Sequence, residues 1–231
     1  MTDLIIVNSS LTVIITLQNW PQDTFGPFAD ALIKKGFDVN LPTNAQAIQP
    51  LPFARKGSTT AIGIEYAARR IPLQITNNIT NPQDNINEVF SVLRGIGYTP
   101  EESIERIDIQ GYVTIKVQVD KASSFVPNVV DKRIVKKIGG IIEHNVKAVG
   151  LRLSSEEPII GGANASPFLL LLEPLYTDPS DSKLSVQLNY TTNNGTKAVK
   201  FLEDLYDRLK KIVVELKNDP ADRDGECSSA N

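Results

Sequence analysis

Residues 11–18 read LTVIITLQ, and residues 113–120, which lie 102 positions later, read VTIKVQVD. Every second residue of both octads is apolar: Val13, Ile15 and Leu17 in the first, Ile115, Val117 and Val119 in the second. This period of two is typical of a half-buried β-strand. The same alternation recurs in residues 184–190. We therefore predict an antiparallel sheet with one apolar and one polar face, covered by helices on the apolar face only.

A segment with helical spacing of apolar residues follows each octad. In the first half Phe28 and Leu32 belong to it, and 102 positions later Val130 and Ile134 take their places. Both segments end in a pair of lysines, followed directly by Gly36 in the first half and by Ile138 and Gly139 in the second. Cations in a last helical turn and a glycine after it are typical of a helix C-terminus, which explains the lysine pairs without a phosphate site.

Three extended segments and a closing helix complete each half. The extended segments are predicted at 47–55, 59–67 and 70–77, and at 142–154, 167–176 and 183–192; the closing helices are predicted at 82–97 and 195–217. The chain is thus predicted to be an α+β protein of two tandem β-α-β-β-β-α units, residues 1–103 and 104–218, with a disordered polar tail at 219–231. AIGIEY at 61–66 most resembles AVGLRL at 148–153, although the two stretches hold different places in their units. Either one half has an extra strand near 37–41, or the resemblance is a coincidence.

This order of elements over residues 11–217 resembles the duplicated saddle of the TATA-binding-protein-like fold. The resemblance implies a concave sheet face that grips the DNA minor groove, with phenylalanine side chains wedged between base steps. The chain departs from that pattern in the residues of its predicted open face. These residues are polar except for Ile14, and no aromatic wedge is visible among them: Thr12, Thr16, Gln18, Thr114, Lys116, Gln118, Ser185, Gln187 and Asn189.

The polar face supplies the predicted binding residues, which are Lys116, Gln118, Arg152, Gln187 and Asn189. Amide and cationic side chains in such positions bind groove edges or a peptide backbone, or they are simply solvated. A second candidate is the stretch PFLLLLEPLY at 167–176, whose apolar residues do not alternate. A strand that is apolar on both faces lies centrally in its sheet or contacts a partner.

Composition limits the function further. The net charge is −3, and the basic residues are not concentrated, since residues 1–110 carry 8 Lys and Arg against 11 Asp and Glu. This balance disfavours a dominant nucleic-acid surface. The only cysteine, Cys227, excludes an intrachain disulfide and favours a reducing, cytoplasmic location. No apolar run is long enough to span a membrane.

Catalytic chemistry is sparse in the sequence. His144 is the only histidine, and with Glu143 it offers too few ligands for a metal site, so neither a metal nor another cofactor is predicted. The first hypothesis is therefore a non-enzymatic binding or scaffold protein that binds a protein partner or a second copy of itself. The second is a nucleic-acid-binding protein of the TATA-binding-protein type. The third is a small-molecule-binding enzyme that uses carboxylates.

Overall fold

The computed structural model describes residues 5–20, 24–40, 53–65, 67–117, 122–124, 141, 150–155 and 168–217. These residues form one antiparallel sheet of nine strands together with helices, which confirms the predicted α+β class. Val130 and Ile134 of the second predicted helical segment, His144 and the tail at 219–231 lie outside the described residues.

The strands are β1 Ile5–Leu17, β2 Asp38–Val39, β3 Ala54–Lys56, β4 Thr60–Ile62, β5 Arg70–Thr76, β6 Ile104–Lys116, β7 Leu151–Ser154, β8 Phe168–Pro174 and β9 Lys183–Thr192. Their order across the sheet is β2-β3-β4-β5-β1-β6-β9-β8-β7. The helices are α1 Phe25–Lys34, α2 Pro82–Gly95, α3 Pro100–Ser103, α4 Gly195–Glu203 and α5 Leu205–Lys217, with a short 3-10 helix at Ala122–Ser124.

The sheet has one apolar face and one polar face, as the alternation predicts. Val13, Ile15 and Val186 are fully buried, whereas Lys116 is exposed. The described helices contribute their buried residues to the same apolar core. We call the opposite, polar face of the sheet the open face. Its central residues are Ser10, Thr12, Ile14 and Thr16 of β1, Asp108, Gln110, Tyr112, Thr114 and Lys116 of β6, Leu169, Leu171 and Glu173 of β8, and Ser185, Gln187 and Asn189 of β9.

β1 and β6 form the longest pairing in the sheet and lie at its centre. Their register runs from Ile5 opposite Lys116 to Leu17 opposite Ile104. Strands from residues 1–103 lie on the β1 side, and strands from residues 104–218 lie on the β6 side. This arrangement is compatible with tandem units, but the described residues do not test the repeat, which stays a prediction. The two-residue strand β2 is the extra strand considered near 37–41.

The helix predicted over 82–97 is present as α2 and ends two residues earlier, at Gly95, and the short helix α3 was not predicted. Near the C-terminus, one helix is predicted over 195–217. The structure ends α4 at Glu203 and begins α5 at Leu205. The interruption is confined to Asp204, whose ψ of −8° departs from the helical value of about −42°. The Asp204 carboxylate contacts Lys200 Nζ and Arg208 Nη2, each at 3.1 Å. Hydrogen bonds from Lys200 and then Arg208 lower the pKa of Asp204.

Candidate binding face

Four of the five predicted binding residues are described, and all four lie on the open face or its edge. Gln187 and Asn189 are consecutive outward residues of β9 and are half-buried. Arg152 is exposed on β7, in the same row of directly opposed residues as Gln187, with Leu171 between them. Lys116 lies apart from this group, at the end of β6. Gln118 lies outside the described residues.

The open face is less uniformly polar than the sequence indicated. Tyr112 lies directly opposite Gln187 and is 54% exposed. The Gln187 amide donates a hydrogen bond of 3.3 Å to the Tyr112 hydroxyl. Leu169 and Leu171 lie opposite Asn189 and Gln187 on the other side of β9. Ile14 is therefore not the only apolar residue of this face, and amides of β9 separate an aromatic side chain from two leucines.

The leucines of β8 explain why residues 167–176 do not alternate. Leu170 and Leu172 are buried in the core, at 2% and 1% exposure. Leu169 and Leu171 point to the open face, where they are half-buried. β8 is the eighth of the nine strands in the sheet order, so it does not occupy a central position. A central position in the sheet therefore does not explain the apolar outward residues of β8, and contact with a partner stays a prediction.

Like charges meet at one end of the open face, where Lys116 lies directly opposite Lys183. Lys183 is neutralised by Asp178, which is 3.2 Å away and whose side chain is 3% exposed. The Asp178 carboxylate also accepts hydrogen bonds from Ser180 and Ser182. The backbone N–H of Ser182 contributes most to holding the pKa of Asp178 well below its usual range. Lys116 forms no ion pair with any described residue.

Guanidinium groups gather at the opposite end of the open face. Thr16 of β1 lies between Arg70 of β5 and Arg106 of β6 in the strand register. Arg106 is paired with Asp108 at 2.7 Å, and neighbouring Arg69 is paired with Glu105 at 3.2 Å. Arg70 forms no ion pair within the described part of the chain. The two ends of the face are thus cationic, and its middle is amide-rich and partly apolar.

The helix side of the sheet contains a groove of about 310 Å³ between α4, α5 and the β8–β9 pair. Its lining is Phe168, Leu170, Leu188, Phe201, Leu205, Arg208, Leu209, Lys211 and Ile212. Phe201 stacks on Tyr190 at 4.2 Å between ring centroids, and Arg208 lies over Phe201. The described lining includes no carboxylate, hydroxyl or imidazole, and apart from Arg208 and Lys211 it is apolar, so this groove is suited to bury apolar groups.

Sequence reasoning missed Tyr112 for a physical reason. The alternation of β6 extends back through Ile109 and Ile107, but the inward position between them and Val113 is Gly111. Because glycine has no side chain, the alternation of apolar and polar residues is interrupted at this inward position. Extending the period across Gly111 places Tyr112 on the polar face. This extension of the alternation is the sequence signal that identifies Tyr112 as a residue of the open face.

The described residues contain no group of three or more His, Cys, Asp or Glu side chains arranged to hold a metal ion. None of the helices in the described ranges has the length and apolarity that crossing a bilayer requires. Neither the models of known protein families nor the curated proteins include a match to this chain.

Proposed function

We propose that this chain is a non-enzymatic binding protein that assembles with a second copy of itself through the open face. The observation that carries the proposal is the apolar group Tyr112, Leu169 and Leu171 on a sheet face that no described helix covers. Removing such side chains from water stabilises an assembly by about 25 cal/mol per Å² of apolar surface.

The composition of the open face supports a second copy over a partner of a single charge sign. Carboxylates and cations both occur on it, as Glu173 and Asp108 and as Lys116 and Arg152. A twofold interface brings the same patch of both copies together, so a patch that carries both signs can complement itself. A stable interface needs about 800 Å² from each partner, and nine strands spaced about 4.8 Å apart provide a face of that size.

Light scattering coupled to size exclusion tests the proposal. We expect the wild-type chain to elute as a dimer and Leu171→Glu to elute as a monomer, because the variant places a carboxylate in the apolar group. The matched control is Ile33→Glu, since Ile33 is a 51% exposed apolar residue on α1, at the helix side of the sheet. The control should remain dimeric. A monomeric wild type at the highest soluble concentration would refute self-association.

A second candidate function is nucleic-acid binding of the TATA-binding-protein type, favoured by the arginine group at Thr16. Arg69, Arg70 and Arg106 all lie at that end of the sheet, and Arg70 lacks an ion-pair partner among the described residues. Phosphate contacts would release counterions, so affinity would fall steeply as salt rises.

Fluorescence anisotropy with a labelled duplex of about 20 base pairs separates this candidate from self-association. If phosphates are contacted, duplex binding at low salt should weaken in Arg70→Ala and persist in Lys35→Ala, whose lysine follows α1 on the helix side. Absence of duplex binding at low salt, or binding that does not depend on salt, disposes of this function.

A further inference from the structure

On the open face, outward residues of two different strands flank the central outward residues of β9, one on either side. β6 and β8 are its two immediate neighbours, each about 4.8 Å away. In one row Tyr112 of β6 and Leu171 of β8 flank Gln187. In the next row towards the chain start of β9, Thr114 and Glu173 flank Ser185. Lys116 of β6 follows one row further on.

From this arrangement we infer that the second copy docks face to face about a twofold axis that runs parallel to β9 between the two sheets. Such an axis exchanges the β6 side of one copy with the β8 side of the other. Each Tyr112 then lies over the partner's Leu171, and the two Gln187 amides meet at the axis. This geometry rests on the proposed self-association and specifies its interface.

Docking about this axis also brings charges of opposite sign, which have no partner within the described part of their own copy, close together across the interface. Lys116 comes to the β8 side of the partner, one row from the partner's Glu173, which is about 7 Å along the strand. Long side chains span that distance. Neither Lys116 nor Glu173 forms an ion pair with a described residue of its own chain, and Lys116 faces the like charge of Lys183. Each Lys116 of the dimer therefore has the Glu173 carboxylate of the other copy nearby, and the twofold axis produces this contact twice.

The same axis places Lys183, which is paired with Asp178 of its own chain at 3.2 Å, opposite Lys183 of the second copy. Arg152 of β7 is exchanged with Ser10 of β1, because both lie two strands from β9 in the same row. This position brings no like charges together. The five strands from β7 to β1 cover about 750 Å² at about 3.4 Å per residue and about 4.8 Å between strands, which is close to the roughly 800 Å² that each partner contributes to a standard interface.

Charge reversal tests the docking geometry. Lys116→Glu places two carboxylates near each other at both symmetric positions, and Glu173→Lys places two cations there. We expect each single variant to weaken self-association about tenfold or more, since like charges at an interface are strongly unfavourable. The double variant Lys116→Glu/Glu173→Lys should restore wild-type affinity. Sedimentation equilibrium over a range of concentrations gives the dissociation constants.

The possible outcomes separate the two proposals. Weakening by both single reversals and recovery in the double variant support the axis along β9. A dimer that neither reversal affects, or whose affinity the double variant fails to recover, overturns this axis while leaving self-association standing. A wild type that is monomeric overturns both proposals. Circular dichroism of each variant, expected to match wild type because both side chains lie outside the core, shows that the fold is retained.

Discussion

Gly111 lies at a tightly packed position in the centre of the sheet. A Cβ at this position would lie 2.8 Å from Leu11 Cδ2 and 2.8 Å from Leu188 Cγ. Both leucines are 1% exposed, so neither has free space to move into. We expect Gly111→Ala to lower the free energy of unfolding by about 1–3 kcal/mol, the usual cost of overpacking. Urea unfolding measures it.

The control substitution is expected to change the stability in the opposite direction. Gly95 is the last residue of α2, and a Cβ there would meet nothing within 4 Å. Gly95→Ala should raise the urea midpoint slightly, because alanine reduces the entropy of the unfolded chain. Gly111→Ala with a midpoint equal to wild type would show that the leucines at the sheet centre are not as constrained as their burial indicates.

Asp178 couples stability to pH. The backbone N–H of Ser182, the Ser180 hydroxyl and the Lys183 ammonium hold its pKa well below the usual range. An unfolded aspartate has a pKa of about 3.9, so the stabilisation is complete above that pH and is lost as pH falls from about 4 towards the folded pKa. We expect Asp178→Asn to be less stable than wild type at pH 7, and the difference between their urea midpoints to shrink below about pH 4.

Asp30→Asn controls for the general loss of a negative charge. Asp30 is exposed on α1 and accepts no hydrogen bond from the described residues. The midpoint of this variant should follow that of wild type across the pH series. A constant difference between Asp178→Asn and wild type from pH 7 to pH 2 would contradict the role given to the ionised carboxylate of Asp178.

Among the elements, α4 depends on a single side chain at its N-terminus. Asn194 is the N-cap residue, and its side-chain oxygen accepts a hydrogen bond of 3.0 Å from the Lys197 N–H. Asn194→Ala should lower the free energy of unfolding by about 1 kcal/mol, whereas Asn194→Asp should retain the cap. Guanidinium unfolding followed by circular dichroism measures both. Asn193→Ala, at the exposed residue before the cap, is expected to change little, and an equal loss in that variant would contradict the assignment.

The elements also show what the sequence could and could not predict. Period-two alternation predicted the buried and open faces of β1, β6 and β9, because burial on one face is recorded in every second residue. It did not predict strand length: β4 was expected over 59–67 and spans only Thr60–Ile62. A strand ends where its neighbour stops pairing, which is a non-local property.

The binding face was predictable only in part for the same reason. The outward orientation of Gln187 follows from its own strand, since Val186 and Leu188 on either side of it are apolar. Its neighbours Tyr112 and Leu171 come from other strands, and their position beside Gln187 depends on the register of β9 with β6 and β8. Alternation within one strand carries no information on register.

At the scale of the whole molecule, the two halves share one sheet and one core. The long β1–β6 pairing joins residues 1–103 to residues 104–218, and Gly195 of α4 lies against Phe90 of α2, with only 3.1 Å between that ring and a Cβ built on the glycine. Unfolding one half would expose the central strand of the other to water. The two predicted units should therefore unfold as one cooperative transition rather than as separate domains.

Trp20 allows this cooperativity to be measured, because it is the only tryptophan and packs on Phe28 and Tyr98 within the first half. Leu188→Ala removes a 1% exposed side chain from the second half and should cost about 2–5 kcal/mol. We expect the urea midpoint followed by Trp20 fluorescence to fall as far as the midpoint followed by circular dichroism, since destabilising one half removes the support of the other. A Trp20 midpoint that stays at the wild-type value, with a biphasic circular dichroism curve, would instead show two independent domains that meet at β1 and β6.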